Sequence, residues 1–132
     1  MPRILVVDDD PDILKLVVRR LQHANHRAQG AASASEACAF VAEKGAPDVV
    51  VLDVDMPNVD GLELLGRLRE QIGNPELPAI FLSSRMRPDD IAAGRQLGAI
   101  YLTKPFMGTP LLSAIDGLIR ARDEAQADDQ EW

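Results

Sequence analysis

Short apolar runs recur along the chain, and they constrain its fold more than any other feature of the sequence. They cover residues 4–7, 49–52, 79–82 and 99–102. Continuous runs of this length, partly β-branched, are typical of strands that are buried on both faces of a sheet. The runs therefore predict a parallel sheet.

Helical periodicity fills the intervals between these runs. Apolar side chains recur at helical spacing in two segments, which contain Leu14, Val17, Val18 and Leu21 in one case and Leu64, Leu65, Leu68 and Ile72 in the other. Asp10 is a predicted cap of the first helix, since its side chain can accept a backbone hydrogen bond and Pro11 suits the first helical position. Asp60 is predicted to cap the third helix in the same way, before Gly61. Strands and helices thus alternate.

Weaker patterns complete the set of elements. We expect a strand over residues 27–31 and helices over residues 35–44, 88–97 and about 109–122. Five βα units without internal repeats predict one doubly wound α/β domain over residues 1–122. Residues 123–132 are polar and acidic, and we expect them to form a frayed helix end, an acidic tail or a truncated linker.

Composition narrows the class of protein. The chain has 132 residues, of which 46% are hydrophobic, as in an ordinary globular domain. No apolar run is long enough to span a membrane and no signal peptide is evident, so we expect a cytoplasmic protein without membrane contact. The net charge of −7 includes five acids after Arg122, and no basic surface typical of direct nucleic-acid binding is predicted.

Polar residues that could bind a metal or take part in a reaction directly follow the apolar runs. Asp8 and Asp9 end the first strand, Asp53 the third, Ser83 the fourth and Lys104 the fifth. Ligands of open α/β sheets bind beyond the carboxyl ends of the strands, so these side chains should converge. Clustered carboxylates repel one another and recruit hard cations such as Mg²⁺, and one carboxylate can then serve as a nucleophile. Lys104 would balance the charge of an incoming phosphoryl group.

Four motifs together resemble the response regulator receiver domain of two-component signalling. They are ILVVDDD at residues 4–10, VLDVDMPNVDG at 51–61, FLSS at 81–84 and YLTKPF at 101–106, and the resemblance covers residues 2–122. It implies a flavodoxin-like five-stranded parallel sheet of order 2-1-3-4-5 with five flanking helices. It also implies a phosphoacceptor domain that catalyses only its own phosphorylation and dephosphorylation. The phosphoryl donor would be a sensor histidine kinase or a phosphotransfer protein, and a downstream effector domain or protein would read the signal.

The resemblance also assigns roles to individual residues. Asp53 would be the phosphoacceptor. Asp9 and Asp53 would ligate Mg²⁺ together with the backbone carbonyl of Asp55, and Asp8 would hold the water shell of the metal. Lys104 would contact the phosphoryl group, and the Lys104–Pro105 peptide resembles the cis peptide of the family.

The same resemblance implies a switch. The hydroxyl of Ser83 would bond a phosphoryl oxygen, and Tyr101 would reorient as Ser83 moves. The face formed by the fourth helix, the fifth strand and the fifth helix would report the change.

Two departures from the family pattern affect these expectations. Asp55 and Arg85 carry opposite charges, and our hypothesis is that they approach across the mouth of the site and slow dephosphorylation. The segment at residues 98–101 is one residue shorter than the common family form and lacks an acidic pair that often precedes the tyrosine, so dimerisation is left open but is not predicted. With no output domain after Arg122, a stand-alone receiver and part of a larger regulator both stay open.

Two other functions fit some of these residues. Asp53 and Asp55 resemble the nucleophile motif of haloacid-dehalogenase-type phosphatases, with Asp55 as general acid, whereas a receiver fold that no longer uses phosphate would act as a binding module. The remaining candidates have structural explanations: Cys38 as a buried thiol, and His23 with His26 as residues at a helix end.

Overall fold

Five strands alternate with five helices in the computed structural model, which describes residues 2–56, 59–83, 88–103 and 109–130. In chain order the elements are β1 Arg3–Val7, α1 Pro11–His23, β2 Arg27–Ala31, α2 Ala34–Lys44, β3 Val49–Asp53, α3 Gly61–Ile72, β4 Ala79–Ser83, α4 Pro88–Gln96, β5 Ile100–Thr103 and α5 Thr109–Gln130. None of the helices in these ranges has the length and apolarity needed to cross a membrane.

All of the strand pairs are parallel, and the sheet has the order β2-β1-β3-β4-β5. This confirms the predicted fold class, including the weak strand β2. The apolar runs became strands because both faces of the sheet are covered: β1, β3 and β4 contribute buried side chains to two hydrophobic clusters, one on each face. Every strand runs in the same direction, so their carboxyl ends lie at a single edge.

Side-chain caps fix where the helices begin. The Asp10 carboxylate accepts hydrogen bonds from the N–H groups of Asp12 and Ile13, and the Asp60 carboxylate accepts one from Glu63. Both predicted caps are therefore confirmed. Ser33 caps α2 in the same way, so that helix begins at Ala34, one residue before the expected start.

The last helix continues further than the sequence analysis expected. A helix end near Arg122 was predicted because the following residues are strongly acidic, but α5 runs to Gln130. The physical reason is that residues 118–130 contain neither Gly nor Pro, and eight of these 13 residues are Ala, Arg, Gln or Glu, which are good helix formers. Acidic composition alone does not end a helix.

Arg69 of α3 bonds the two segments that lead into β4 and β5, at the amino-terminal edge of the sheet. Its guanidinium donates hydrogen bonds to the carbonyl of Leu77, from Nε at 3.3 Å and Nη2 at 2.9 Å, and to the carbonyl of Leu97 from Nη1 at 2.7 Å. Partial burial lowers the pKa of Arg69 from its usual value, and the nearby charge of Glu76 opposes that shift. Arg69 thus joins α3 to the segments that precede β4 and β5.

Candidate functional site

Three polar side chains are buried at the carboxyl edge of the sheet. Asp53 is the last residue of β3, Ser83 is the last residue of β4, and Asp8 directly follows β1. Their exposed fractions are 3%, 1% and 1%, and in the described ranges no other polar or charged residue is buried to this degree. Burial of carboxylates is costly without compensating charges or hydrogen bonds, so their position here calls for a function.

Asp8, Asp9 and Asp53 form a compact carboxylate cluster. Each contributes a carboxylate oxygen, and these oxygens all lie within 4.8 Å of one another. The register of the sheet brings them together, because Val7 of β1 pairs with Leu52 of β3 and an aspartate follows each of these residues. The donor set consists of oxygen atoms only and carries several negative charges, which fits Mg²⁺.

Local hydrogen bonds orient two of the carboxylates. Asp8 Oδ1 accepts a bond from the N–H of Asp10 at 2.9 Å, and Asp53 Oδ1 accepts one from the N–H of Asp55 at 3.1 Å. Each is a bond from a carboxylate to the backbone two residues later, a geometry that aspartate adopts readily in turns. The turns after β1 and β3 therefore hold one oxygen of each carboxylate in a defined direction.

Gly61 allows the first turn of α3 to approach the backbone of Asp53 closely. A Cβ atom at this position would lie 2.6 Å from the carbonyl oxygen of Asp53 and 3.2 Å from Cα of Val54. The capping role of Asp60 was predicted, but this contact of Gly61 was not. A glycine directly after the capping aspartate, at a helix start next to the site, could have indicated a close backbone approach.

Ser83 and Asp55 are hydrogen-bonded to each other. Ser83 Oγ donates to Asp55 Oδ2 at 3.1 Å. Both residues were expected at the site, with Arg85 as the predicted partner of Asp55. Arg85 lies outside the described residues, so that pairing stays a prediction, and Ser83 is a partner of Asp55 that sequence reasoning missed.

Tyr101 lies on β5, directly opposite Phe81 of β4. The two ring centroids are 6.1 Å apart with an interplanar angle of 55°, and Tyr101 is half-buried. Gly94 of α4 faces both rings, since a Cβ atom there would lie 3.2 Å from Cδ2 of Tyr101 and 3.3 Å from Cδ2 of Phe81. The proposed switch residue thus packs between the sheet and α4.

The other residues singled out in the sequence lie either outside the described ranges or away from the carboxylate cluster. Lys104 and Pro105 lie outside the described residues, so the predicted phosphoryl contact and cis peptide stay predictions. His26 Nε2 lies 3.6 Å from Asp116 Oδ1, which places it between the start of β2 and α5, away from the carboxylate cluster. Cys38 is half-buried against the hydrophobic core, so its thiol is less enclosed than expected.

Known proteins are similar to this chain in both sequence and fold. The family model of the response regulator receiver domain matches residues 4–116. The transcriptional regulatory protein PrrA of Mycobacterium tuberculosis is 38% identical over 122 residues, which cover 92% of this chain and 51% of PrrA. The chain therefore spans about half the length of this curated relative.

Solved structures superpose over nearly their whole length. The chemotaxis protein CheY4 of Vibrio cholerae has a TM-score of 0.82 at 32% identity, with 89% of this chain and 98% of CheY4 covered. A receiver domain of the Francisella response regulator 1452 has a TM-score of 0.80 at 31% identity, with 92% and 99% covered. The sequence match and the fold match thus concern the same region of the chain.

Proposed function

The chain belongs to the response regulator receiver domain family, and from this membership we propose that it is a phosphorylation switch with Asp53 as the phosphoacceptor. The observation that carries the proposal is the buried carboxylate of Asp53 within 4.8 Å of Asp8 and Asp9 at the carboxyl edge of the sheet. A sensor histidine kinase or a phosphotransfer protein would donate the phosphoryl group.

The proposed transfer is a nucleophilic displacement. A carboxylate oxygen of Asp53 attacks phosphorus, the O–P bond forms, and the P–N bond to the donor imidazole breaks, so the imidazole leaves with the electron pair and takes up a proton. No general base is needed for this step, because the proposed nucleophile is a carboxylate, which has no proton to lose. The backbone N–H of Asp55 holds one oxygen of Asp53 in place at 3.1 Å, and this contact supports a fixed direction of attack.

The cluster around Asp53 suits a divalent cation. Asp9, Asp53 and the backbone carbonyl of Asp55 would hold Mg²⁺, with Asp8 holding its water shell, and the bound ion would supply charge neutralisation at the phosphoryl oxygens. The support for this assignment is the convergence of three carboxylates, which would otherwise repel one another. Lys104 is the proposed cationic contact to the phosphoryl group.

We propose that phosphorylation redirects Ser83. The hydroxyl that now bonds Asp55 would instead donate to a phosphoryl oxygen, which is a stronger acceptor because it carries more negative charge. Tyr101 would reorient with it, and the face formed by α4, β5 and α5 would present the change to a downstream effector domain or protein. This is a shift between two populations, driven by the added charge.

The wider biological setting is also proposed. Relatives such as PrrA are transcriptional regulators about twice as long as this chain, which supports an output in transcription, carried by a partner or another domain. The cytoplasm is the proposed location. The phosphatase alternative is not favoured, because the family model that matches residues 4–116 is that of the receiver domain.

Incubation with acetyl phosphate and Mg²⁺, followed by intact mass measurement, tests the assignment of Asp53. We expect a mass gain of one phosphoryl group in the wild type and none in Asp53→Asn. Asp12→Asn is the matched control, since Asp12 is an exposed aspartate of α1 outside the cluster. A phosphoryl adduct that persists in Asp53→Asn would refute the proposal.

A further inference from the structure

A second concave surface lies at the opposite end of the sheet from Asp53. It has a volume of about 510 Å³ and lies between the start of β1, the edge strand β2 and the end of α2. Arg3, Arg27 and Lys44 are its cationic lining residues, and Leu5, Phe40 and Pro47 contribute apolar surface. We call this surface the basal groove.

The parallel register explains why the cations converge. Arg3 of β1 pairs directly with Arg27 of β2, so both side chains leave the same face of the sheet on neighbouring strands. Lys44 reaches the same place from α2, one turn after Phe40 on the same helical face. Like charges directly opposite each other on adjacent strands are destabilising, so an anion bound close to Arg27 would relieve the repulsion between the two arginines.

Few acidic groups compensate these charges. Among the residues that the structure describes, no carboxylate lines the groove and the guanidinium of Arg27 forms no ion pair. Lys44 Nζ lies 3.9 Å from Glu43 Oε1, but both side chains are more than half exposed, so this pair is weak. Asp48, which precedes β3, accepts a bond from the backbone N–H of Arg3 at 2.7 Å. A chain with a net charge of −7 therefore has a locally positive concave surface here.

One cation of the groove is already positioned. Arg3 Nη2 donates to the carbonyl of Lys44 at 2.7 Å, at the carboxyl end of α2, and this bond orders the guanidinium before any ligand binds. Arg27 and Lys44 are exposed and can adapt to a ligand. Below them, Leu5 and Pro47 are buried and Phe40 is half-buried, so the floor is apolar and closed.

We propose that the basal groove binds a small amphipathic anion, with an apolar body against Phe40 and a carboxylate, sulfonate or phosphate group between Arg27 and Lys44. The volume is typical of small-molecule sites, which are mostly apolar with a few polar groups that fix orientation. Charge complementarity selects the anionic class. The inference is independent of phosphorylation, because the groove and the carboxylate cluster lie at opposite ends of the strands.

Fluorescence titration with anilinonaphthalene sulfonate, an apolar anion, tests the groove on the full chain without Mg²⁺ or phosphodonor. We expect saturable binding of one probe molecule per chain. Arg27→Gln and Lys44→Gln should each weaken the affinity about tenfold, since each removes a charged hydrogen-bond donor. Arg19→Gln is the matched control, because Arg19 is an exposed arginine of α1 that does not line the groove, and it should leave the affinity unchanged.

A neutral analogue and a map of the bound probe complete the experiment. Phenylnaphthylamine, which lacks the sulfonate, should bind more weakly to the wild type, and its affinity should not respond to Arg27→Gln. In NMR spectra, the chemical shifts of the backbone amides of Leu5, Gln29 and Phe40 should change when the probe binds. Equal affinity of the sulfonate for wild type and Arg27→Gln, or shifts centred on Asp53, would overturn the proposal. Circular dichroism melting of each variant checks that the fold is retained.

Discussion

The hydroxyl of Ser83 donates a hydrogen bond to Oδ2 of Asp55 at 3.1 Å, although 28 residues separate them in sequence. Ser83 ends β4 and is 1% exposed, whereas Asp55 lies in the exposed turn after β3. In the proposed mechanism a phosphoryl oxygen on Asp53 needs the same hydroxyl. Asp55 and the phosphoryl group therefore compete for Ser83, and Asp55 stabilises the unphosphorylated arrangement.

Asp55→Ala should make the phosphorylated arrangement easier to reach. The substitution removes the acceptor of Ser83 but keeps the backbone carbonyl that we assign to the metal. A net hydrogen-bond contribution of about 1 kcal/mol predicts a roughly fivefold lower half-saturating concentration of beryllofluoride, a non-hydrolysable phosphoryl mimic. The NMR chemical shift of the Ser83 backbone amide, followed against the beryllofluoride concentration, measures how far the site is saturated.

Asp55→Asn separates the hydrogen bond from the charge, because asparagine keeps an acceptor oxygen but loses the negative charge. We expect its half-saturating concentration to lie between those of the wild type and Asp55→Ala. If Asp55→Ala binds beryllofluoride no better than the wild type, the hydrogen bond from Ser83 to Asp55 does not oppose the phosphorylated arrangement.

Mg²⁺ should raise the thermal stability of the folded chain, and Asp9→Asn should remove most of this effect. A ligand at 100 times its Kd adds about 2.7 kcal/mol to the free energy of unfolding. Without metal, Asp9→Asn should be at least as stable as the wild type, because one of three clustered like charges is gone. Calorimetry with and without Mg²⁺ measures both effects.

Glu70→Gln provides the control for Asp9→Asn, since Glu70 is an exposed acid of α3 outside the cluster. Its response to Mg²⁺ should equal that of the wild type. An undiminished response in Asp9→Asn would exclude Asp9 from the metal site.

Local signals were sufficient to predict the framework of this molecule. Apolar runs predicted the strands because each strand is enclosed on both faces, and Asp10 and Asp60 predicted helix starts because capping involves neighbouring residues only. Asp8, Asp53 and Ser83 were placed at one edge by a rule of topology, since parallel strands end together.

Gly61→Ala should destabilise the chain by about 1–3 kcal/mol, because the added methyl group would lie 2.6 Å from the carbonyl oxygen of Asp53 and force the backbone apart. Gly66→Ala, in the same helix with nothing within 4 Å of the added Cβ, should instead stabilise it by about 0.5–1 kcal/mol. Urea unfolding measures both variants. A Gly61→Ala variant as stable as the wild type would show that the close approach is not required.

Arg69→Met should lower the free energy of unfolding by about 2 kcal/mol, because the part-buried carbonyls of Leu77 and Leu97 lose their charged donor. Arg67→Met is the control. It loses only an exposed ion pair with Glu63, which contributes about 0.3–0.5 kcal/mol. Equal losses in the two variants, measured by urea unfolding, would contradict a special role of Arg69.

The contacts that sequence reasoning missed all join distant segments. The bond from Ser83 to Asp55 and those from Arg69 to two carbonyls depend on how loops meet after the sheet has formed. Nothing in the local pattern of either residue specifies a partner. The length of α5 was missed for another reason: the acidic residues after Arg122 were interpreted as a frayed helix end, a tail or a linker, although they contain no helix breaker.

The pairing of Val7 with Leu52 sets the width of the carboxylate cluster, because Asp8 and Asp53 follow these two residues on hydrogen-bonded strands. A larger ion such as Ca²⁺ takes more oxygen ligands at 2.3–2.6 Å, whereas Mg²⁺ takes six at 2.0–2.1 Å. Because Asp9 directly follows Asp8, moving the two proposed ligands Asp9 and Asp53 apart would stretch the ladder between β1 and β3. Ion selectivity at this site would therefore depend on main-chain hydrogen bonds, which no exchange of a single ligand side chain removes.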